Sequence, residues 1–277
     1  MKIVKTIIIS DLHLGITDSK ADEIVHFLSD FSCENLIMNG DIIDGWELKK
    51  YGKWKPKHTR FFKFVMKIME ENQTKVWYLH GNHDDFLDNI LPLQIGNFSL
   101  QMDYIYESFG KKYFIVHGDI FDSITSNVKW LAKIGSLAYI FSLWLNKGLN
   151  FLLKKIKIKP VFISQYLKTK VKSIFSPKNS YQKKLVQMAK SKNCEAIVCG
   201  HIHKPSIQNF DGILYMNSGD WVESMSALVE NLDGTWELLH YKDIFSDLKQ
   251  RDNEIFANNE KIDKTVDFYV EWIKSKV

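Results

Sequence analysis

Cysteine and proline are scarce in this chain, with 3 Cys and 5 Pro among 277 residues. Cys33, Cys194 and Cys199 form no CxxC pair and cannot build a disulfide framework, which excludes a disulfide-stapled scaffold and a zinc knuckle. A reducing compartment is the expected setting. Little proline, 45% hydrophobic and 25% charged residues exclude collagen-like and disordered classes, and the length gives ample core for one large domain or two small ones. Long apolar runs are missing too. Ile134 to Asn146, between Lys133 and Lys147, spans 13 residues, where a membrane-crossing helix needs roughly 20. The opening MKIVKTIIIS is too short an apolar run for a signal peptide and leads straight into Asp11 and His13.

The sharpest absence is of acid. Between Asp122 and Glu195 lie 72 residues without a single Asp or Glu, and they hold 15 Lys. The whole chain has 37 Lys+Arg and 33 Asp+Glu, so 37−15 leaves 22 basic residues against 33 acidic ones elsewhere. The net charge of +4 is therefore the sum of a middle near +15 and a remainder near −11. The basic region is expected to face something anionic.

What is present alternates. Val4 to Ile9 is a β-branched run that reads as a buried strand. Ser19 to Phe31 has a Ser-x-x-Asp start and helical spacing at Ile24, Phe27 and Leu28. Leu36 to Asn39 predicts a second strand, Thr59 to Glu71 a second helix and Val76 to Leu79 a third strand. This order argues for an α/β sheet core. Phe98 to Asp103, Tyr104 to Glu107 and Tyr113 to His117 read as further strands, with a hairpin turn at Gly110-Lys111-Lys112. From Ile124 to Met188 the pattern is helical, apolar and Lys-rich. After Cys194 strands return at Ala196 to Cys199, Ser206 to Phe210, Ile213 to Asn217, Ala227 to Glu230 and Thr235 to Tyr241. The expected organisation is one α/β domain over residues 1–241 with a helical insertion at 124–188. A charged tail follows over 242–277, helical near Thr265 to Lys274.

Each predicted strand end carries donors. They are Asp11-Leu12-His13, Asn39-Gly40-Asp41-Ile42-Ile43-Asp44, Gly81-Asn82-His83-Asp84, His117-Gly118-Asp119 and Gly200-His201-Ile202-His203. Open α/β sheets place their sites at the carboxyl ends of strands. Asp11/His13 and His201/His203 each put two side chains on one side of an extended chain, and the glycines let backbone turn tightly beside a ligand. Carboxylate, amide and imidazole donors without thiolate suit Mn²⁺, Fe or Zn²⁺. Seven candidates (Asp11, His13, Asp41, Asn82, His117, His201 and His203) are too many for one ion and suit two ions that share a carboxylate. Asp84 and Asp119 read as supporting carboxylates. His26 and His240 read as ordinary helix and strand residues, and His58 and His80 stay unassigned.

The series DxH, GDxxD, GNHD, HGD and GHxH, spread over Ile7 to Leu239, resembles the calcineurin-like metallophosphoesterase superfamily. The resemblance implies a four-layer α/β/β/α sandwich with a two-metal centre between loops at one edge. It implies that Asp11, His13 and His203 hold one divalent ion, that Asn82, His117 and His201 hold the other, and that Asp41 bridges them. It makes His83 the catalytic histidine and Asp44 the carboxylate that orients it.

The core motifs do not choose the phosphoester. The insertion combines apolar bulk, Trp144 included, with lysines such as Lys168 and Lys172. Apolar surface beside dense Lys reads as a footprint for an anionic membrane. The stretch lacks Arg, the usual bidentate base reader, so no nucleic-acid partner is expected. The insertion and the closing Gly219-Asp220-Trp221-Val222-Glu223-Ser224 resemble the UDP-2,3-diacylglucosamine pyrophosphohydrolase group of lipid A biosynthesis. That resemblance implies a lipid-linked nucleotide substrate, release of UMP, two Mn²⁺ ions and a cytoplasmic, peripheral place on the inner face of the membrane. The best-known members of that group carry Arg where this chain has His83. The alternatives are another lipid-linked or a soluble phosphomonoester, phosphodiester or nucleotide, and a non-enzymatic scaffold. The Lys-rich loop Trp46 to His58 follows Asp44 closely, so Trp46, Lys53 and Lys57 are expected to touch substrate phosphate or a headgroup.

Overall fold

The computed structural model describes residues 1–121 and 177–245. The chain divides into two compact units, residues 1–119 with 186–277, and residues 120–185. Trp144, Lys168 and Lys172, the expected insertion helices before Pro177 and the expected tail helix lie outside the described residues. Among the described residues no helix is long and apolar enough to cross a membrane.

Two sheets make up the first unit. One has seven strands in the order β12-β11-β1-β2-β3-β5-β4. Its centre is parallel: β1 (Lys2–Ile9), β2 (Phe31–Asn39), β3 (Lys75–Leu79) and β5 (Phe98–Gln101) run together. Antiparallel edges are β4 (Leu93–Ile95) on one side and β11 (Ser226–Glu230) with β12 (Trp236–His240) on the other. The second sheet has the order β6-β7-β8-β10-β9, built from β6 (Asp103–Ser108), β7 (Lys111–Val116), β8 (Ala196–Cys199), β9 (Ser206–Phe210) and β10 (Ile213–Asn217). Here β7, β8 and β10 are parallel.

Both faces of the large sheet are covered, which is why β1 ends in the unbroken apolar run Ile7-Ile8-Ile9. Ile7 and Ile9 pack with Ile24, Phe27 and Leu28 of α1 (Ala21–Ser29) and with Phe61, Val65 and Ile68 of α3 (Pro56–Glu71). Ile8, Ile37 and Leu79 point the other way, into an inter-sheet core with Tyr106, Ile115, Val198 and Met216. Alternation along each strand thus feeds two cores. Burying one such side chain contributes about 1.5–3 kcal/mol. The helices, the two sheets and α4 (Pro177–Ser191) give the mixed α/β architecture expected of this class.

Several details differ from the sequence expectations, among them a second strand that starts at Phe31 and not Leu36, and an unexpected β4. The first helix is Ala21–Ser29, not Ser19 to Phe31. Ser19 does not cap it, because its hydroxyl is engaged by His58 Nε2 at 3.0 Å, and Phe31 already opens β2. The stretch after Asp44 is not a loop. It forms α2 (Gly45–Tyr51), and Pro56 then starts α3. The β6–β7 turn is Phe109-Gly110, both at positive φ (49° and 73°), so Lys111 and Lys112 belong to β7. Asp103 belongs to β6, and β5 ends at Gln101.

Candidate metal centre

The donors converge because the parallel strands end at one edge. β1 delivers Asp11 and His13, β2 delivers Asp41 and Asp44, and β3 delivers Asn82 and His83. From the second sheet, β7 delivers His117 and β8 delivers His201 and His203. Sharp backbone turns aim them. Asp11, His13, Asp41, His201 and His203 all sit in the left-handed region, with φ between 46° and 61°. That conformation is uncommon for residues with a Cβ and concentrates at functional sites. Gly40 (φ 79°) is needed for space as well, since a Cβ there would lie 2.4 Å from the His117 ring.

Two clusters of ligand atoms share a centre. Asp11, His13 and His203 form one, and Asp41, His117 and His201 form another, with all ligand atoms of a cluster within 4.8 Å of one another. A third grouping, His13 with Asp41 and His83, lies across them. Asp41 Oδ2 stands 3.2 Å from His117 Nε2 and 3.9 Å from His13 Nε2. Asp11 Oδ1 is 3.1 Å from His203 Nε2 and 4.0 Å from His117 Nε2. Backbone amides hold the other carboxylate oxygens: His201 N–H donates to Asp11 Oδ2 and His83 N–H to Asp41 Oδ1. Trp221, fully buried, donates its N–H to the Asp11 carbonyl.

Outer partners set the imidazoles. His117 Nδ1–H donates to the Asn39 carbonyl at 2.9 Å, which leaves Nε2 for the centre. Asp44 Oδ2 lies 3.0 Å from His13 Nδ1 and 3.1 Å from His83 Nδ1. Asp44 Oδ1 accepts from Glu47 N–H and so caps α2. One carboxylate therefore serves a metal-candidate imidazole, His83 and a helix terminus. Asp84 does not touch an imidazole. It is fully buried and accepts from Tyr78 O–H, Ile43 N–H and Ile42 N–H, anchoring the loop that carries Asp41.

Charge follows from this packing. Burial pushes Asp11 up, but the His117 charge and the His203 contact outweigh it and hold the carboxyl below its ordinary range. The same competition, with His117 and His13, keeps Asp41 low. Asp44 is low because His13 and His83 overcome burial. His117 and His83 are raised against the effect of burial, His117 chiefly by Asp41 and Asp11 and His83 chiefly by Asp44. Asp84 is raised by burial and by the Asp41 charge.

The donor set fits divalent ions. His117 Nε2 and Asn82 Oδ1 are buried without a hydrogen-bond partner, a costly arrangement unless a ligand completes it. Two buried carboxylates require cationic charge beside them, and the donors are oxygen and imidazole nitrogen, suited to first-row metals.

Other expected residues lie around this centre. Trp46 stacks on His83 at 4.1 Å between ring centroids. Lys53 lines a cavity of about 200 Å³ with Gly15, Thr17, Glu47 and Tyr51. Lys57 Nζ donates to the Thr17 and Ser19 carbonyls, so it braces the loop after His13. His58 is buried, accepting from Lys55 N–H at Nδ1 and contacting Ser19 Oγ at Nε2. His80 pairs with Asp88 at 2.7 Å. His26 and His240 serve packing and backbone contacts away from the centre. The sequence reading named Asn39 and Trp221 only within motifs, without their roles, and missed Tyr78, because each acts through a backbone group or a second residue. The spacing of Asn39 beside the GDxxD run was the one available hint.

Fold and donor set define a metal-dependent phosphoester hydrolase. The chain belongs to the calcineurin-like phosphoesterase family, whose pattern matches residues 4–205. It is 22% identical over 242 residues to the UDP-2,3-diacylglucosamine hydrolase of Aeromonas hydrophila, covering 82% of this chain and 94% of that one. The enzyme of the same name from Photorhabdus laumondii is 23% identical over 205 residues, covering 73% of this chain and 83% of that one. Among solved structures, an archaeal phosphodiesterase aligns at a TM-score of 0.40 and 14% identity, over 87% of this chain and 99% of that one.

Proposed function

We propose that the chain cleaves the pyrophosphate of UDP-2,3-diacylglucosamine to UMP and diacylglucosamine 1-phosphate, working with two divalent ions, Mn²⁺ first among them. The observation that carries this reading is the likeness to hydrolases of that name over 82% of the chain. The acid-free, Lys-rich and apolar stretch between Asp122 and Glu195 supports it, because an acyl chain and an anionic bilayer both suit that composition.

Asp11, His13 and His203 would hold one ion, Asn82, His117 and His201 the other, with Asp41 between. Bound there, the ions polarise phosphoryl oxygens and make an attacking water acidic near neutral pH. His83 donates the proton to the leaving oxygen from Nε2, because Asp44 Oδ2 faces Nδ1 at 3.1 Å. Asp84 holds the Asp41 loop rigid during turnover. The enzyme works at the cytoplasmic face of the membrane.

Measuring UMP release from the diacylated substrate with Mn²⁺ tests this reading. Turnover of a simple diester without UMP release would sink the substrate assignment and keep the hydrolase. A second reading, a soluble phosphoester substrate, is favoured by His83, which stands where the best-known pyrophosphohydrolases have Arg. Sedimentation with anionic vesicles separates the two: salt-sensitive binding supports the lipid-linked substrate.

A further inference from the structure

We propose that Trp46, anchored by Asp85, is a positioning residue for His83. The inference rests on the reading of His83 as proton donor. Trp46 lies on α2, and its ring stands 4.1 Å from that of His83 with planes inclined at 35°. Its indole Nε1–H donates to Asp85 Oδ2 at 3.1 Å. Asp85 is two residues beyond His83 on the 3₁₀ segment Asn82–Ile90. The indole therefore grips the same segment twice, once on the ring of His83 and once two residues on.

The two elements are built to approach closely. A Cβ at Gly45 would meet the Phe86 ring at 2.8 Å and the His83 carbonyl at 2.9 Å. Glycine at the first position of α2 lets Trp46 reach over His83.

His83 is confined on three sides. Asp44 Oδ2 stands 3.1 Å from Nδ1, and His13 meets the ring edge-on at 4.6 Å and 89°. The Asp44 contact, made at the ring nitrogen, does not restrain tilting across the ring face, against which the indole lies. The His83 side chain keeps 22% of its exposure, so without that wall the imidazole has room to swing. Trp46 is itself 50% exposed, and an exposed aromatic on a seven-residue helix is explained by a contact of this kind. A donor displaced by about 1 Å loses on the order of 10²-fold in rate. Trp46 thus acts through His83.

The test uses the full Mn²⁺-loaded chain and 2′,3′-cyclic AMP, a diester whose alkoxide leaving group needs a proton, with Trp46→Ala, Trp46→Phe, Asp85→Asn, His83→Ala and the Trp46→Ala/His83→Ala pair. Trp46→Ala is expected to lower kcat about 10- to 100-fold with little change in KM. Trp46→Phe recovers most of the loss, and Asp85→Asn shows a smaller one. In the His83→Ala background, Trp46→Ala adds nothing, because the two residues act as a unit. In ¹³C–¹H spectra of the chain loaded with diamagnetic Zn²⁺, the ring signals of His83 lose the indole ring-current shift in Trp46→Ala and keep part of it in Trp46→Phe. Independent, multiplying losses in the double variant, or a loss carried by KM, would overturn the proposal while leaving His83 its role. An unchanged kcat in His83→Ala would remove the role of His83 and the proposal with it.

Discussion

At the scale of single residues, histidine serves three different purposes in this chain, and its surroundings decide which. His117 has Nδ1 tied to the Asn39 carbonyl and Nε2 turned to the two carboxylates. His83 has Nδ1 on Asp44 and a partly open ring. His58 is buried, with Nδ1 accepting from Lys55 N–H, an arrangement that needs the neutral form. Burial, then the charges of Lys57 and Lys55, push His58 down to about 4. A prediction follows with a definite sign. The unfolded chain binds a proton at this residue below about 6.5, whereas the folded chain does so only near 4. Stability from this group is therefore complete above pH 6.5 and declines as pH falls towards 4. The decline is about 2 kcal/mol, discounted for residual solvent access. Urea midpoints of wild type and His58→Gln between pH 4 and 7 check it, the variant showing the shallower pH dependence. The donor residues were legible as residues, since DxH, GDxxD, GNHD, HGD and GHxH follow strands that pattern correctly. The role of His58 was not, because its partner Ser19 meets it only after α3 packs on the loop that follows His13.

At the scale of elements, α2 was the piece hidden in the sequence. Five lysines between Lys49 and Lys57, together with Gly52, suggest a solvated loop. In the fold, Asp44 caps a seven-residue helix, Gly52 ends it in the left-handed conformation, and Leu48 is buried beneath it. A helix this short owes its existence to its cap and to packing, not to propensity. Asp44 therefore couples the helix to the site. Asp44→Ala is expected to cost about 0.5–2 kcal/mol through the lost cap and to lower kcat about 10- to 100-fold through loosened His13 and His83. Asp44→Asn keeps an oxygen for Glu47 N–H, so it should lose activity with little loss of melting temperature. Calorimetry beside steady-state kinetics separates the two effects. The start of α3 also brings the Lys57 ammonium onto the Thr17 and Ser19 carbonyls.

At the scale of the whole molecule, two sheets carry the stability and their shared edge carries the donors. Away from that edge, a polar network joins the sheets. Glu230 of β11 is fully buried and accepts from Tyr106 O–H and Ser108 O–H of β6, while Tyr106 also meets Thr6 of β1 at 2.7 Å. Tyr106→Phe leaves the carboxylate short of one donor and should destabilise the protein by about 1–3 kcal/mol, read as a shift of the denaturation midpoint. The donors add a metal-dependent share. The sheets and helices are held by apolar cores that need no metal, so chelation should leave the far-ultraviolet spectrum intact. Mn²⁺ at 100 times its Kd should then add about 2.7 kcal/mol, seen as a rise in melting temperature. Asp41→Asn should lose most of that gain.

The sequence by itself determined most of the strand order, the candidate donors and the acid-free segment. These are local properties: β-branched runs, helical spacing and short motifs follow from neighbouring residues. Only the tertiary structure decided that Asp41 lies between two histidine clusters, that one oxygen of Asp44 serves both His13 and His83, and that Trp46 covers the ring of His83. Those relations join residues far apart in sequence, His13 and Asp44 by 31 positions. They depend on parallel strands from two sheets ending at one edge, a geometry set by how the cores pack.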